Sequence, residues 1–379
     1  MKSKIFRFSI TFIAILLGIV LVLSLSLIGE KGAGPIDRFL VSTGRLISKV
    51  ENKYILKKRV ISRSKSLKWF KKLSENALKR GKFNRILYGA YDDQVSETYQ
   101  TVVNLEDSLK TVFPIIPLYT AWGSNSDQQF PSSKVQAIVD IGSVPVITWE
   151  PWLTDFSLDD YPNIPPKEKR DKFSLKAIAN GTYDTYIHKW AIDAKEIISP
   201  VFVRFGHEMN DPYRYPWGPQ NNKPEDFIAA WQHLVNIFKE EGALNVFWVW
   251  SPHPAYGQFD AYYPGDRYVD WLGIGTLNYG TVAKWSKWYT FDEIFGNFYP
   301  QFAKYNKPIM ISEFGSLATG GDRNKWYADA LSNLKSKYPL VKSVIFFHVA
   351  NDNTTTDKSL NWYFIDDPEI VNSVSNIIK

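Results

Sequence analysis

The sequence predicts a (β/α)8 TIM barrel with an N-terminal transmembrane helix and a basic helical stalk. Three observations lead to this fold class. The chain has 379 residues, enough for a barrel of about 250 to 300 residues plus an extension. From residue 85 onward, β-branched or aromatic runs alternate with amphipathic helical patterns, which is typical of parallel βαβ units. These runs number eight, the number of strands in such a barrel.

Residues 1–30 carry the pattern of a membrane anchor. Lys2, Lys4 and Arg7 precede a stretch without charged residues from Phe8 to Gly29. As a helix this stretch would be about 33 Å long, enough to cross a bilayer. No A-x-A-like cleavage site follows it, which favours an uncleaved signal anchor over a cleaved signal peptide. The sequence therefore predicts a single-pass protein of the cell membrane with its large domain outside the cytoplasm, or a secreted protein if the segment is cleaved.

Residues 31–84 form a second unit, predicted to be a basic stalk or a segment that caps the barrel. From residue 31 to residue 85 there are 17 Lys and Arg against three acids, whereas the chain from residue 86 onward has a net charge of −10. Such a stretch is suited to anionic lipid headgroups or an acidic polymer, or it is a solvated helix. Nucleic-acid binding is not expected, because the rest of the chain is acidic and has no recognition motif.

Residues 85–379 hold the predicted barrel. Its eight predicted strands are Ile86 to Tyr91, Ile115 to Ala121, Val144 to Trp149, Val201 to Phe205, Val246 to Ser251, Trp271 to Gly275, Ile309 to Ser312 and Val344 to His348. Two helices between them are clearly marked. One runs from Pro224 to Glu241 with Gly242 as its C-terminal stop, and the other runs from Asp322 to Tyr338 and is followed by Pro339.

Composition narrows the possible chemistry. Aromatic residues make up 16% of the chain, with 14 Trp and 21 Tyr; such rings fill a core or line a groove that stacks on sugar rings. The chain has no cysteine, which excludes thiolate catalysis and Cys-ligated zinc or iron–sulfur sites. No serine-hydrolase, Walker A or dinucleotide motif stands in a suitable strand–turn–helix context.

Residues that follow the strands build the active site of a (β/α)8 barrel. Here they are mainly acids, imidazoles and aromatic rings. Glu208 and Glu313 follow strands four and seven, which face each other across the barrel mouth. Glycosidic cleavage needs such a pair, with about 5 to 5.5 Å between the carboxyl groups in retaining enzymes. Arg204 is expected to keep the second acid ionised, and a partly apolar setting is expected to raise the pKa of Glu208.

A metal-dependent reaction is the main alternative chemistry at this motif. His207-Glu208 does not extend to H-E-x-x-H, because position 211 is Asp211. A site built from scattered His and Asp residues stays open as an alternative. The prediction is nevertheless that the protein uses no metal ion and no cofactor.

Three segments resemble glycoside hydrolase family 26, a family of retaining (β/α)8 enzymes. They are residues 148–152 (TWEPW), residues 204–218 (RFGHEMNDPYRYPWG) and residues 311–315 (ISEFG). The resemblance spans about residues 85 to 366. It implies that Glu208 is the general acid/base, that Glu313 is the nucleophile and that His207 helps to orient the site.

The resemblance also implies a set of substrate-binding residues. Trp149, Trp217 and Trp362 match positions or regions where the family places sugar-stacking rings; the alternative for each is a buried barrel residue. Tyr279 resembles the tyrosine that hydrogen-bonds the nucleophile. The remaining members of the predicted substrate-binding set are His207, Arg204 and Asn210. Asp211 departs from the family pattern, since a glycine commonly follows Met-Asn, and this leaves the substrate open.

The expected activity is endo-hydrolysis of a β-1,4-mannan, because family members act mostly on that polymer. Alternatives within the family are mixed-linkage β-glucan, β-1,3-xylan and an exopolysaccharide of the protein's own cell. From a different class, the alternative is a non-catalytic, membrane-anchored polysaccharide-binding protein.

Overall fold

The structure is a computed structural model that describes residues 17, 18, 21, 59, 61–93, 99–282, 287–353 and 359–379. The chain divides into two compact units, residues 1–57 and 58–379. In the second unit, eight parallel strands close into one barrel in sequence order, as predicted. The strands are β1 (Leu87–Tyr91), β2 (Ile115–Ala121), β3 (Val144–Glu150), β4 (Val201–Phe205), β5 (Val246–Trp250), β6 (Trp271–Asn278), β7 (Ile309–Ser316) and β8 (Val341–Phe347).

Helices between the strands form the outer layer. They are α1 (Glu75–Lys79), α2 (Gln100–Leu109), α3 (Ser132–Asp140), α4 (Ser174–Ala179), α5 (Asp184–Lys195), α6 (Pro224–Glu240), α7 (Phe259–Tyr262), α8 (Tyr299–Ala303), α9 (Arg323–Lys337) and α10 (Pro368–Ile377). Each strand therefore has side chains packed on both of its faces, and all five residues of both β4 and β5 are buried.

The two helices marked most clearly in the sequence lie where they were predicted. Helix α6 starts with proline at its first position, where the missing N–H costs no hydrogen bond. It is followed by Gly242 at φ +82°, a left-handed conformation that glycine adopts without strain. Helix α9 begins after Asp322, whose carboxylate accepts a hydrogen bond from the backbone N–H of Lys325 at 2.9 Å.

Strands β6 and β7 extend beyond their predicted ends at Gly275 and Ser312. They stay paired with each other as far as Asn278 and Ser316, with a register shift between Ile274 and Gly275. The prediction placed the last residue of β6 at Gly275 and took Glu313 as the first residue after β7. In the structure Glu313 is part of β7, and the irregular register lets the strand continue past it.

The N-terminal predictions concern residues that the structure describes only in part. The predicted anchor, residues 1–30, lies outside the described residues apart from positions 17, 18 and 21, and residues 31–58 and 60 of the predicted stalk also lie outside them. Within the described ranges, no helix combines the length and the apolar character that crossing a membrane requires.

Residues 61–80 close the N-terminal end of the barrel. Leu67, Phe70 and Leu78 join the hydrophobic cluster formed by the first residues of the strands. Arg63 is 3% exposed and pairs with Glu106. Its guanidinium also donates to the Ile141 carbonyl at 3.1 Å and to the Ser143 hydroxyl at 2.7 Å. A buried and fully paired arginine fixes how this part of the basic segment lies on the barrel.

Candidate active site

Glu208 and Glu313 lie side by side at the C-terminal mouth of the barrel. Gly275 of β6 stands next to both. A Cβ atom at Gly275 would lie 3.7 Å from Glu208 Oε1 and 3.8 Å from Glu313 Oε2. The two oxygens are therefore separated by no more than the sum of these distances, 7.5 Å. This bound includes the 5 to 5.5 Å range of retaining glycosidases.

Gly275→Ala tests whether the space between the two acids is used. The new methyl group meets both carboxylates only at ordinary van der Waals distance, and the backbone of Gly275 is not left-handed, so we expect an unchanged thermal midpoint. The methyl group would displace a sugar held between the acids, and we expect kcat/KM to fall by about 10²-fold. Unchanged kinetics on a polysaccharide that the parent cleaves would show that the reacting sugar lies elsewhere.

Glu313 is held as an anion by two donors to one oxygen. Tyr119 Oη and Arg204 Nη2 both donate to Glu313 Oε1 at 2.8 Å. Burial would raise the pKa of Glu313, but the charge of Arg204 and the hydrogen bonds from Arg204 and Tyr119 lower it to about 2. Arg204 also donates to Thr148 and Ser312, so its guanidinium cannot turn away. The expected pairing of Arg204 with the second acid is present.

Glu208 has the opposite electrostatic setting. Burial and the negative charge of Glu313 raise the pKa of Glu208 to about 8, against the lowering effect of Arg214 and Arg204. Arg214 Nη1 lies 3.5 Å from Glu208 Oε2. The carboxyl group is therefore mostly protonated at neutral pH, while Glu313 is ionised.

The backbone of Glu208 is strained. Its φ is +54°, a left-handed conformation that costs a residue other than glycine about 1 to 3 kcal/mol. Two hydrogen bonds hold it there: Glu208 N–H donates to the Ser251 carbonyl at 2.7 Å, and Asp211 N–H donates to the Glu208 carbonyl at 2.9 Å. This conformation is what turns the side chain toward Glu313 from a loop that has already left β4.

His207 and Glu150 form the wall beside this pair. His207 Nε2 is 3.0 Å from Tyr215 Oη, and its Nδ1 is 3.9 Å from Glu150 Oε1. Burial and the charge of Arg204 lower the pKa of His207 well below its usual range, so the ring is neutral. Glu150 accepts a hydrogen bond from Trp152 Nε1 at 3.1 Å, and burial raises its pKa. His207 therefore lies beside the two acids, as predicted.

The tyrosine that hydrogen-bonds Glu313 in the structure is Tyr119, whereas the prediction gave this contact to Tyr279. Tyr279 packs edge-on against Trp362 at a ring distance of 5.1 Å. Burial is the main cause that raises the pKa of Tyr279, and the nearby charges of Glu208 and Glu313 raise it further. Tyr119 was not among the predicted residues because it lies inside β2, two residues before the end of the strand.

The three predicted sugar-stacking tryptophans are all buried. Trp149, Trp217 and Trp362 are 0%, 1% and 0% exposed, so none has a free face for a sugar ring in this structure. Trp149 stacks on Trp190 of α5 at 4.2 Å. The reason is strand alternation: Thr148 points into the barrel toward Arg204, so Trp149 points outward into the helical layer.

Trp217 and Trp362 have supporting positions instead. Trp217 stacks on Tyr215 at 4.5 Å and donates to the His207 carbonyl at 2.8 Å. Trp362 donates to Asp352 at 2.8 Å and lies behind Tyr279. Both rings therefore lie behind residues that face the cleft and support them. For all three tryptophans the alternative of a buried barrel residue describes the observed environment.

The side-chain amide of Asn210 holds two loops together. Its Nδ2 donates to the carbonyls of His253 and Gly257 at 2.9 and 3.0 Å, and its Oδ1 accepts from His253 N–H at 2.7 Å. The side chain thus joins the loop after β4 to the loop after β5. Its place in the substrate-binding set stays a prediction.

Accessible rings stand instead on the rim beside Glu208. Tyr213 is 79% exposed and Tyr256 is 37% exposed, and their rings meet edge to face at 5.9 Å. Exposed paired tyrosines offer flat apolar faces to a polysaccharide. Neither tyrosine was among the predicted site residues, although Tyr213 lies two positions after Asp211, where the sequence departs from the family pattern.

One group of side chains in the described ranges is close enough together to hold a metal ion. It consists of Glu208, Asp211 and His253, with ligand atoms within 4.8 Å of one another. His253 Nδ1 accepts a hydrogen bond from Ala255 N–H at 3.1 Å, so its other ring nitrogen carries the proton of the neutral ring. An ion here would also replace the proton on Glu208. The residues therefore fit a protonated carboxyl group better than a metal ion.

Comparison with known proteins gives the same family as the motifs. Residues 133–363 match the model of glycosyl hydrolase family 26. Endoglucanase H of Acetivibrio thermocellus is 33% identical over 256 residues, which is 65% of this chain but 26% of that protein. The mannan endo-1,4-beta-mannosidase of Bacillus subtilis is 28% identical over 160 residues, 40% of this chain and 39% of that protein. The chain thus spans well under half of either relative.

Solved structures support the same fold. GH26C from Muricauda sp. MAR_2010_75 superposes with a TM-score of 0.59 at 18% identity, covering 80% of this chain and 87% of that one. This likeness concerns the barrel alone, because the identity is low. With a family model that matches more than half of its length, the chain belongs to glycosyl hydrolase family 26.

Proposed function

We propose that the protein hydrolyses a β-linked polysaccharide with retention, using Glu313 as nucleophile and Glu208 as general acid/base. The observation that carries the proposal is the opposed pKa values of two adjacent carboxyl groups, about 2 for Glu313 and about 8 for Glu208. Two such groups, one ionised and one protonated at neutral pH, match the two roles in the first step of the reaction.

In the first step, Glu313 Oε2 attacks the anomeric carbon while Glu208 gives its proton to the glycosidic oxygen. Oε1 is occupied by Tyr119 and Arg204, whereas Oε2 is the oxygen on the side of Gly275 and Glu208. The bond to the leaving sugar breaks, and the remaining sugar is esterified to Glu313 with inverted configuration.

In the second step, Glu208 changes from acid to base. Esterification removes the negative charge of Glu313, which is the second largest cause of the raised pKa of Glu208. That pKa therefore falls, and the carboxylate takes a proton from a water molecule that attacks the anomeric carbon. A second inversion restores the original configuration and frees Glu313.

The pH dependence of kcat/KM tests this assignment. We expect a plateau between about 2 and about 8, with the alkaline limb set by loss of the proton from Glu208. Arg214→Met removes a positive charge that lowers the pKa of Glu208, so the alkaline limb should move to higher pH. Arg267→Met, which changes an exposed arginine, is the matched control. A limb that stays in place or moves to lower pH would contradict the role of Glu208.

The first candidate substrate is a β-1,4-mannan, cleaved internally, and a β-glucan is the second. The mannosidase of Bacillus subtilis supports the first. The higher identity to Endoglucanase H supports the second.

A panel of polysaccharides distinguishes these substrates. The panel consists of mannan, mixed-linkage β-glucan, β-1,3-xylan and the host's exopolysaccharide, and the sizes of the products are measured. Retention of polymer without release of oligosaccharides would favour a binding protein and contradict hydrolysis.

We further propose that the protein is held at the cell membrane by its N-terminal segment, with the barrel outside the cytoplasm. The uncharged stretch from Phe8 to Gly29, preceded by three basic residues, supports this location. Membrane fractionation with protease treatment of intact cells and of lysed cells tests it. Full recovery in the soluble cytoplasmic fraction would exclude it.

A further inference from the structure

The N-terminal end of the barrel, opposite to the cleft, carries a strongly basic surface. From residue 61 to residue 85 there are nine Lys and Arg and a single acid, Glu75. Lys65, Lys68, Lys71 and Lys72 line an open groove of about 650 Å³ together with Ile61 and Ser64. We call these six residues the basic end face. Among the residues that the structure describes, none of the four lysines has an ion-pair partner.

The direction in which these lysines point is set by buried neighbours on the same segment. Leu67 and Phe70 pack into the cluster at the end of the barrel, and Arg63 is buried against Glu106. The alternating lysines therefore have to face solvent, and they form one contiguous set of positive charges. Four like charges repel one another, so their concentration lowers stability unless an anionic surface compensates.

Exposed aliphatic side chains stand at the same end of the barrel. Ile61, Ile198 and Leu244 are 84%, 98% and 66% exposed; the last two lie in the loops that lead into β4 and β5. Asn245 ties these loops together by donating to the carbonyls of Ile197 and Ser199. A second groove is lined by both Lys71 and Ser199, so the aliphatic residues are continuous with the basic end face.

We propose that the basic end face docks on a bilayer that contains anionic lipids. Lysine ammonium groups would contact headgroup phosphates, and Ile61, Ile198 and Leu244 would reach the boundary with the acyl chains. Charge complementarity and the preceding sequence favour this occupant: residues 1–58, of which the structure describes only 17, 18 and 21, come before the face in the chain and include the uncharged stretch Phe8 to Gly29. Docking in this way directs the cleft away from the membrane. The inference rests on the proposed location and not on the proposed chemistry.

The absence of cysteine from the chain permits a direct test with single labelled positions. Full-length Leu244→Cys and Phe173→Cys proteins carry the environment-sensitive dye NBD and are reconstituted in phosphatidylcholine vesicles with or without phosphatidylserine. Phe173 is 59% exposed and lies on the cleft side, after β3. Doxyl-labelled lipid should quench the dye at position 244 when phosphatidylserine is present, and should not quench it at position 173.

Charge reversal tests the role of the lysines. Lys65→Glu, Lys68→Glu, Lys71→Glu and Lys72→Glu together should abolish the quenching at position 244. Each lysine is expected to change the apparent affinity for the anionic surface about fivefold. The matched control reverses four exposed lysines near the cleft, Lys167, Lys169, Lys172 and Lys176, and should keep the quenching. Raising the salt concentration from about 0.1 M to about 1 M should weaken the quenching at position 244 in the protein that keeps its lysines. The reason is that the Debye screening length falls to about 3 Å at the higher concentration.

Three results would overturn the proposal: equal quenching without phosphatidylserine, equal quenching at position 173, or quenching that survives reversal of the four lysines. A response of the dye at position 244 to a soluble acidic polysaccharide but not to vesicles would also overturn it, in favour of a polymer site. Hydrolysis of a soluble polysaccharide is measured on the same proteins. It should be unaffected by the lysine reversal, so failure of the docking proposal is distinguishable from failure of the proposed activity.

Discussion

Replacement of Glu313 by alanine should lower kcat by about 10⁵-fold, the largest effect expected for a single side chain of this protein. In the proposed mechanism the variant lacks the oxygen that attacks the anomeric carbon, so the covalent intermediate cannot form. Azide is small enough to enter the space that the carboxylate leaves. It should restore part of the activity on a substrate with a good leaving group and give a glycosyl azide of inverted configuration, which NMR of the product identifies.

Stability and specificity of the effect are checked separately. Arg204 stays bonded to Thr148, Ser312 and Tyr119 in the variant, so the barrel should fold, with a lowered thermal midpoint because a buried charge has lost its partner. Glu313→Gln keeps the shape and provides a second variant. Glu150→Ala removes another carboxylate of the same cleft and should show no azide rescue. Parent-like hydrolysis by either Glu313 variant would exclude Glu313 as nucleophile.

Glu208→Gln should produce the second largest effect, and its size should depend on the leaving group. Loss of the proton donor is expected to cost about 10² to 10⁴ in rate on a polysaccharide. An activated aryl glycoside needs little protonation and should be affected far less in the first step. Rates for a series of aryl glycosides of different leaving-group pKa provide the measurement. A uniform loss across the series would argue against an acid role for Glu208.

The same variant has a stability readout that does not depend on activity. The pKa of Glu208 is raised to about 8 in the folded protein from an ordinary value of 4.5, so the folded state binds its proton more tightly than the unfolded state. This contribution to stability is complete below pH 4.5 and is lost as pH rises to about 8. Glutamine does not titrate. The thermal midpoint of Glu208→Gln relative to the parent should therefore increase over this pH range.

The barrel could be predicted because its signals are local. Each strand is a short apolar run, and helices α6 and α9 carry apolar periodicity and stop signals close to their true ends. Glu208 and Glu313 could also be selected, since Glu208 lies three residues after the end of β4 and Glu313 comes straight after the apolar run that starts β7. Strand positions four and seven then place them on facing sides of one mouth.

The site predictions failed where they depended on the direction of a side chain. Trp149 and Thr148 are neighbours in a strand, and only the register of β3 with β4, which pairs Thr148 with Arg204, decides that the threonine points inward and the tryptophan outward. Tyr119 is aligned with Thr148 by the register of β2 with β3. This makes Tyr119 a neighbour of Glu313, which is 194 positions away in the chain.

By itself the sequence determined the (β/α)8 barrel and the family, and it predicted the pair of acids, because these follow from residue type and spacing along the chain. Tertiary structure decided which tyrosine reaches Glu313, which rings face solvent, and which acid is protonated. Burial and the charges that surround each carboxyl group set its pKa, and those surroundings come from strands, loops and helices that are brought together only when the barrel closes.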